Sequence, residues 1–167
     1  MCAATAALNV QIRDELLPAD RAPLEHILRS CKFFRDDEIL VALELIDDRL
    51  HRGRASDYHF LVAAIGDRAV GYCCYGLVAC TLHSYDLYWI VVDPTIHRSG
   101  VGRKLIAAGE EHVRKMGGKR VYIETSSKPQ YAPTHHFYSS CGYRVEATLR
   151  EFYAPGDNKV IFSKVLE

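Results

Sequence analysis

The stretch Val91-Val92-Asp93-Pro94-Thr95-Ile96-His97-Arg98-Ser99-Gly100-Val101-Gly102-Arg103-Lys104-Leu105 turns a strand abruptly into a helix. Upstream, the run from Tyr85 to Val92 has strand character and is stopped by Asp93-Pro94. Downstream, residues 100 to 116 repeat apolar side chains at helical spacing (Val101, Leu105, Ala108, Val113) until Gly117-Gly118 ends them. Glycines at 100 and 102 allow left-handed backbone angles and let a ligand approach without a Cβ in the way. Exposed amides at a helix N-terminus make an anion site. A pyrophosphate is a natural occupant, with Arg98, Arg103 and Lys104 close in sequence. Neither GxxxxGK[ST] nor GxGxxG occurs, so this is not one of the common nucleotide loops. Taken alone, Gly-x-Gly before a helix is also what a purely structural turn with a solvated basic start looks like.

Outward from this stretch the chain alternates between short strands and helices. Val10 to Arg13 reads as a first strand, Pro18 to about Cys31 as a helix, and Asp36 to Leu50 as a second helix. In the second helix Ile39, Leu40, Leu43, Ile46 and Leu50 form the apolar stripe, and Asp36 or Asp37 can cap its start. Two strands, Tyr58 to Ile65 and Ala69 to Cys80, are joined by a hairpin turn at Gly66-Asp67-Arg68. After the central strand and helix come a strand from Arg120 to Thr125, a loop with Pro129 and Pro133, and a short helix from Thr134 to Cys141. Strands around Tyr143–Leu149 and Lys159–Val165 close the chain. The class is therefore α+β, or mixed α/β around one sheet, and residues 1–167 read as one domain.

Composition excludes several functions. Twenty-one basic residues balance twenty-one acidic ones, so no global field gathers nucleic acid or an anionic membrane. The six cysteines (Cys2, Cys31, Cys73, Cys74, Cys80, Cys141) contain no CxxC and no metal-ligand spacing with histidine. Most stand in apolar runs, as reduced thiols of a cytosolic chain do. Residues 1–8 lack the basic start and long apolar stretch of a secretory signal, and no run reaches the ~20 apolar residues of a membrane span. A cytoplasmic protein without metal is expected.

At residues 97–102 the sequence resembles the acetyl-CoA-binding motif [QR]-x-x-G-x-[GA] of the GNAT superfamily of N-acetyltransferases, with Gly100 and Gly102 at the glycine positions and His97 where Gln or Arg is usual. Near the C-terminus, Phe137-Tyr138-Ser139-Ser140-Cys141-Gly142-Tyr143 is similar to the family's FYxxxGF signature, with Tyr143 in place of Phe. The order of elements follows the family over nearly the whole chain, and the motif layout is nearest that of the ribosomal-protein alanine acetyltransferases. The resemblance implies one central, mostly antiparallel sheet of six to seven strands flanked by about four helices.

It also implies a reaction: attack of a primary amine on the acetyl-CoA thioester, giving an amide and free coenzyme A. His97, Arg98, Ser99, Gly100, Val101, Gly102, Arg103 and Lys104 would hold the cosubstrate. A backbone amide on Ile90, Val91 or Val92 would polarise the thioester carbonyl. An alkylamine with a pKa near ~10 is almost wholly protonated at pH 7, and freeing its lone pair costs about 4 kcal/mol without a base. Two carboxylates compete for that duty by family position: Glu124 on the strand after the cradle helix, and Asp86 on the strand before it. Tyr138 takes the general-acid position, protonating the departing thiolate.

Other residues invite a role and are discounted. Adjacent His135 and His136 point about 100° apart on a helix and cannot easily share an ion, and Cys141 has no good claim as a nucleophile. Tyr131 stands where the alanine acetyltransferases keep an Asn, so their acceptor does not transfer. Tyr85, Tyr88, Trp89, Tyr131 and Tyr153 are equally candidates for an acceptor pocket or for the core. The acceptor is then a small amine or amino acid, or alternatively a protein N-terminus or lysine. A non-catalytic acyl-CoA sensor is the rival from another class, and the oligomeric state, with a homodimer as one option, stays open.

Overall fold

Alternating apolar residues build the sheet, and helical stripes cover it unevenly. The computed structural model describes residues 9–167. The strands are β1 (Gln11–Arg13), β2 (Tyr58–Ile65), β3 (Arg68–Leu77), β4 (Ser84–Val92), β5 (Arg120–Ser126), β6 (Arg144–Ala154) and β7 (Asp157–Val165). They form one seven-stranded sheet in the order β1-β2-β3-β4-β5-β7-β6. Every neighbouring pair is antiparallel except β4 and β5. The helices are α1 (Arg21–Ser30), α2 (Asp36–Arg52), α3 (Val101–Lys115) and α4 (Ala132–Ser140). This is the mixed α/β architecture expected, with seven strands and four α-helices. Residues 1–8, read above for a leader, lie outside the described residues.

Each face of the sheet has its own apolar cluster. Leu61, Cys73, Tyr75, Tyr85, Leu87, Val121, Ile123 and Phe162 pack beneath α3 and α4, meeting Leu105, Val113 and Tyr138. Phe60, Val62, Tyr72, Cys74 and Val91 pack on the other face beneath α1 and α2, meeting Leu24, Leu28, Leu43 and Ile46. In α2 the buried stripe is Ile39, Ala42, Leu43, Leu45 and Ile46, while Leu40 is exposed. One residue is about 100° of helix rotation, so Ile39 and Leu40 cannot both face the sheet. The start of α2 is closed by Glu38, whose side chain accepts from the Arg35 amide at 2.8 Å, and not by Asp36 or Asp37.

The parallel junction positions the site. β4 and β5 pair only from Ser84↔Arg120 to Leu87↔Ile123, and beyond this the two strands part. At the same place β4 carries a bulge: Cys74 opposes Trp89 and Tyr75 opposes Leu87, which leaves Tyr88 as the extra residue. Side-chain parity flips there. Tyr85 and Leu87 face α3 before the bulge, whereas Ile90 and Val92 do so after it. Gly76 admits the Tyr88 ring, since a Cβ at Gly76 would stand 2.6 Å from that ring. Gly118 likewise makes room for Tyr85, whose ring would lie 2.8 Å from an added Cβ.

Candidate functional site

At the end of β4 the chain runs through Asp93, a single 3-10 turn (Pro94–Ile96) and Gly100 into α3. Asp93 caps that turn, its side chain accepting from the Thr95 amide at 2.9 Å and the Thr95 hydroxyl at 2.7 Å. Arg98 and Gly100 both have left-handed backbone angles, φ +65° and +83°. Gly100 precedes α3 with no side-chain cap, and the first i→i−4 bond of the helix is Lys104 to Gly100 at 3.1 Å. Among the described residues the amides of Gly100, Val101, Gly102 and Arg103 therefore donate to nothing in the protein. A Cβ at Gly100 would meet no atom within 4 Å, so the corner is open. A diphosphate fits this donor set.

The two glycines do different work. Gly100 supplies the backbone angle and the open approach, whereas a Cβ at Gly102 would lie 3.2 Å from Phe137, so Gly102 lets α3 sit against α4. The flanking side chains also divide. His97 donates from Nε2 to the Val92 carbonyl at 2.9 Å, closing the end of β4, and the Ser99 hydroxyl donates to the Ile96 carbonyl at 2.6 Å. Arg103 is bound to the carbonyl and hydroxyl of Ser140 at 2.9 and 3.0 Å, which ties α3 to the end of α4. Arg98 and Lys104 are exposed and, among the described residues, have no ion pair. Past the bulge, alternate peptide groups of Tyr88 to Val92 face the gap toward β5 instead of a strand partner. Ile90 and Val92 line the α3 side of β4, and Val91 packs under α1 and α2.

The two candidate carboxylates share one cleft. Asp86 is in register with Tyr122, and Glu124 lies two residues beyond Tyr122, so all three project from the sheet face away from α3 and α4. They line a cavity of about 390 Å³ with Val78, Thr81, Ser84, Glu146, Ala147 and Ile161. α1 and α2 leave this half of the face uncovered. Glu124 is engaged: Lys159 of β7 approaches its carboxylate to 2.6 Å. Among the described residues Asp86 has no ion pair or hydrogen-bond partner. Burial, with a lesser push from Glu124 and an opposing pull from Lys159, brings its carboxyl up to about 6.

Tyr138 stands on the opposite face. It is packed between Tyr143, Phe137 and Phe162, with ring centroids 5.7 to 6.3 Å away. Burial raises its phenol well above the usual tyrosine range, with smaller pushes from Cys141 and Tyr131, so it holds its proton tightly at rest. Its hydroxyl is nonetheless not among the sealed, unpartnered ones, which are those of Tyr72, Tyr75 and Tyr143.

A match to the family model described as acetyltransferase (GNAT) family covers residues 21–143. A solved protein of the GNAT acetyltransferase family from Desulfovibrio desulfuricans is 41% identical, covering 95% of this chain and 99% of its own, with a TM-score of 0.92. The chain belongs to the acetyltransferase (GNAT) family. As a GNAT protein it is an acyltransferase. It is also 23% identical over 124 residues, 74% of each chain, to the uncharacterised N-acetyltransferase YvbK of Bacillus subtilis. The yncA structure from Salmonella typhimurium, solved with acetyl-CoA, shares the GNAT fold at 19% identity, with 95% and 94% of the chains covered and a TM-score of 0.72.

Residues set aside in the sequence prove structural in this GNAT chain. His135 is turned to the Ser126 carbonyl, 2.9 Å from Nε2, with its ring against Phe162. Burial pushes the Cys141 thiol up, away from nucleophilic character. Among the described residues no group of three His, Cys, Asp or Glu side chains could hold a metal ion, and no helix is long and apolar enough to cross a membrane. Of the aromatics left open, Tyr85 belongs to the core, and the hydroxyl of Tyr131 reaches the Phe33 carbonyl at 3.5 Å. Sequence reasoning passed over Lys159 and Glu146. Nothing local marks them, because both reach the cleft only through the pairing of β7 with β5 and β6.

Proposed function

We propose that this chain transfers an acetyl group from acetyl-CoA to a primary amine, with a small molecule or amino acid as acceptor. The observation that carries this reading is the run of unpartnered amides from Gly100 to Arg103 at the end of β4, a strand that carries a carboxylate cleft on one face of the sheet while a buried phenol stands on the other. Acetyl-CoA, when bound, supplies the acyl thioester. The unpartnered amides of Gly100 to Arg103 suit its diphosphate, with Arg98 and Lys104 adding positive charge nearby. Unpaired peptide groups of β4 between Tyr88 and Val92 suit the pantetheine arm and the thioester carbonyl. An amine entering the cleft meets Asp86 and Glu124 first, and one of these carboxylates takes its proton, through a water if the reach is too long. On the other face Tyr138 protonates the leaving thiolate. The phenol keeps its proton at rest and gives it up only as the breaking C–S bond makes the sulfur basic, so the proton moves in step with C–S cleavage. A cleft of about 390 Å³ suits a small amine, within the ~300–1,000 Å³ usual for small-ligand sites.

Release of free thiol from acetyl-CoA, followed with a panel of amines, amino acids and short peptides, tests this reading. The expected result is amine-dependent release that falls about 10²-fold or more in Tyr138→Phe and in the double variant Asp86→Asn/Glu124→Gln. Tight acetyl-CoA binding with no turnover on any acceptor would overturn it in favour of a sensor.

A further inference from the structure

Three carboxylates line the cleft, Asp86, Glu124 and Glu146, and a lysine is built in beside one of them. Lys159 is buried on β7, with its ammonium 2.6 Å from Glu124. The same ammonium lies 3.6 Å from the centroid of the Phe152 ring and 5.8 Å from that of Tyr153, both on β6. A carboxylate and an aromatic ring lie in close contact with it, a fixed setting that a freely moving surface lysine lacks. Glu124 and Ile161 are register partners, which makes Lys159 the diagonal neighbour of Glu124 on the same face. Asp86, across the cleft on β4, has no such partner.

We propose that Lys159 is a positioning residue that decides which carboxylate works, occupying Glu124 as a fixed ion pair and leaving Asp86 to take the proton from the acceptor ammonium. This rests on the acetyltransferase reading above. Protonating Glu124 would remove the charge that its 2.6 Å contact with Lys159 stabilises, whereas Asp86 has no cation partner among the described residues. The step balances. One N–H proton of the ammonium passes to Asp86, directly or through a water, and the freed lone pair forms the C–N bond to the thioester carbonyl carbon. The second N–H proton passes to water as the amide forms, the C–S bond breaks with its electron pair going to sulfur, and the thiolate takes a proton from Tyr138. Asp86 and Tyr138 then return to their resting states by exchange with solvent.

The charges facing Asp86 fix the signs. Tyr88 shares its strand, Gly76 of β3 brings no charge, Tyr122 and Glu124 face it from β5, Glu146 from β6 and Lys159 from β7. Glu146 is itself bound to Arg120 and to the Ser163 hydroxyl. Loss of the Lys159 charge leaves Glu124 uncompensated and makes Asp86 harder to ionise. Loss of the Glu124 charge does the reverse.

The test is the pH dependence of kcat/KM for acetyl-CoA-dependent thiol release, in parallel with a ¹³C NMR titration of the Asp86 carboxyl. In wild type both fall through an acid limb near pH 6. Lys159→Met moves the limb and the NMR midpoint upward by about one unit. Lys159→Arg restores them, and Glu124→Gln moves them downward while retaining turnover. Asp86→Asn loses activity about 10²-fold or more at every pH. A limb that stays put in Lys159→Met, or Glu124→Gln losing as much as Asp86→Asn, overturns the assignment. An Asp86 midpoint that shifts as described while wild type turns over no amine overturns instead the enzymatic reading on which it rests.

Discussion

At the residue scale, Asp86 shows how function and stability oppose each other. A carboxyl pushed up to about 6 is one whose charged form the folded state disfavours. Below the unfolded value near 4 the group is neutral in both states and costs nothing. Between about 4 and about 6 the unfolded chain gives up the proton while the folded state keeps it, so stability is lost across that window and the loss is complete above it. Solvent reaches the group in part, so the penalty at neutral pH is about 1–2 kcal/mol rather than the full value of the shift. Asp86→Asn is therefore expected to raise Tm by about 2–6 °C at pH ~7.5, with the gain gone by pH ~4. Thermal melts at the two pH values check this, and an unchanged or lowered Tm at neutral pH refutes it. The residue types at 86, 124 and 138 were all legible from family position in the sequence. The pairing of Glu124 with Lys159 was not, because a salt bridge between strands 35 residues apart in sequence leaves no local mark.

At the element scale, α3 lies close to the sheet because of glycine as well as leucine. A Cβ at Gly109 would fall 2.2 Å from the ring of Tyr75, which is fully buried on β3 and has nowhere to move. Gly109→Ala gains about 0.8–1 kcal/mol of helix propensity. Against this stands overpacking of typically ~1–3 kcal/mol, made worse by a ring that cannot yield. The net expectation is a Tm about 4–8 °C lower, and, since lifting α3 carries Gly100 with it, weaker acetyl-CoA binding as well. Calorimetric melting and a binding isotherm check the two effects together. The existence and order of the elements were readable from periodicity and turn residues. Element ends were less so: β3 stops at Leu77, where the sequence suggested Cys80, because Val78 and Thr81 close a turn held by a 3.1 Å backbone bond. The buried stripe of α2 shifted for a like reason, since a helix with apolar residues on several sides is oriented by what it packs against.

At the scale of the whole molecule, the gap between β4 and β5 leaves peptide groups in the middle of a sheet without strand partners. Hydrogen exchange should find alternate amides of Tyr88 to Val92 exchanging far faster than those of β3, which is paired on both sides. Saturating acetyl-CoA should slow those amides and the ones at Gly100 to Arg103 by about 10²-fold, and leave β1 and β2 unchanged. Uniform protection along β4 without ligand would show that the strands close on themselves and that the gap is no binding site.

By itself the sequence determined the fold class, the strand-to-helix turn at Gly100 and the kinds of side chain available for the chemistry. These are written in local periodicity, in backbone angles that glycine tolerates, and in short motifs. Only the tertiary structure decided which groups meet. It put Asp86 and Glu124 in one cleft with Lys159 paired to Glu124, set Tyr138 on the far face, turned His97 back to the Val92 carbonyl, and gave Gly102 a packing role against Phe137. Such choices depend on strand register and on a one-residue bulge at Tyr88, and a shift of one residue exchanges the faces to which side chains point.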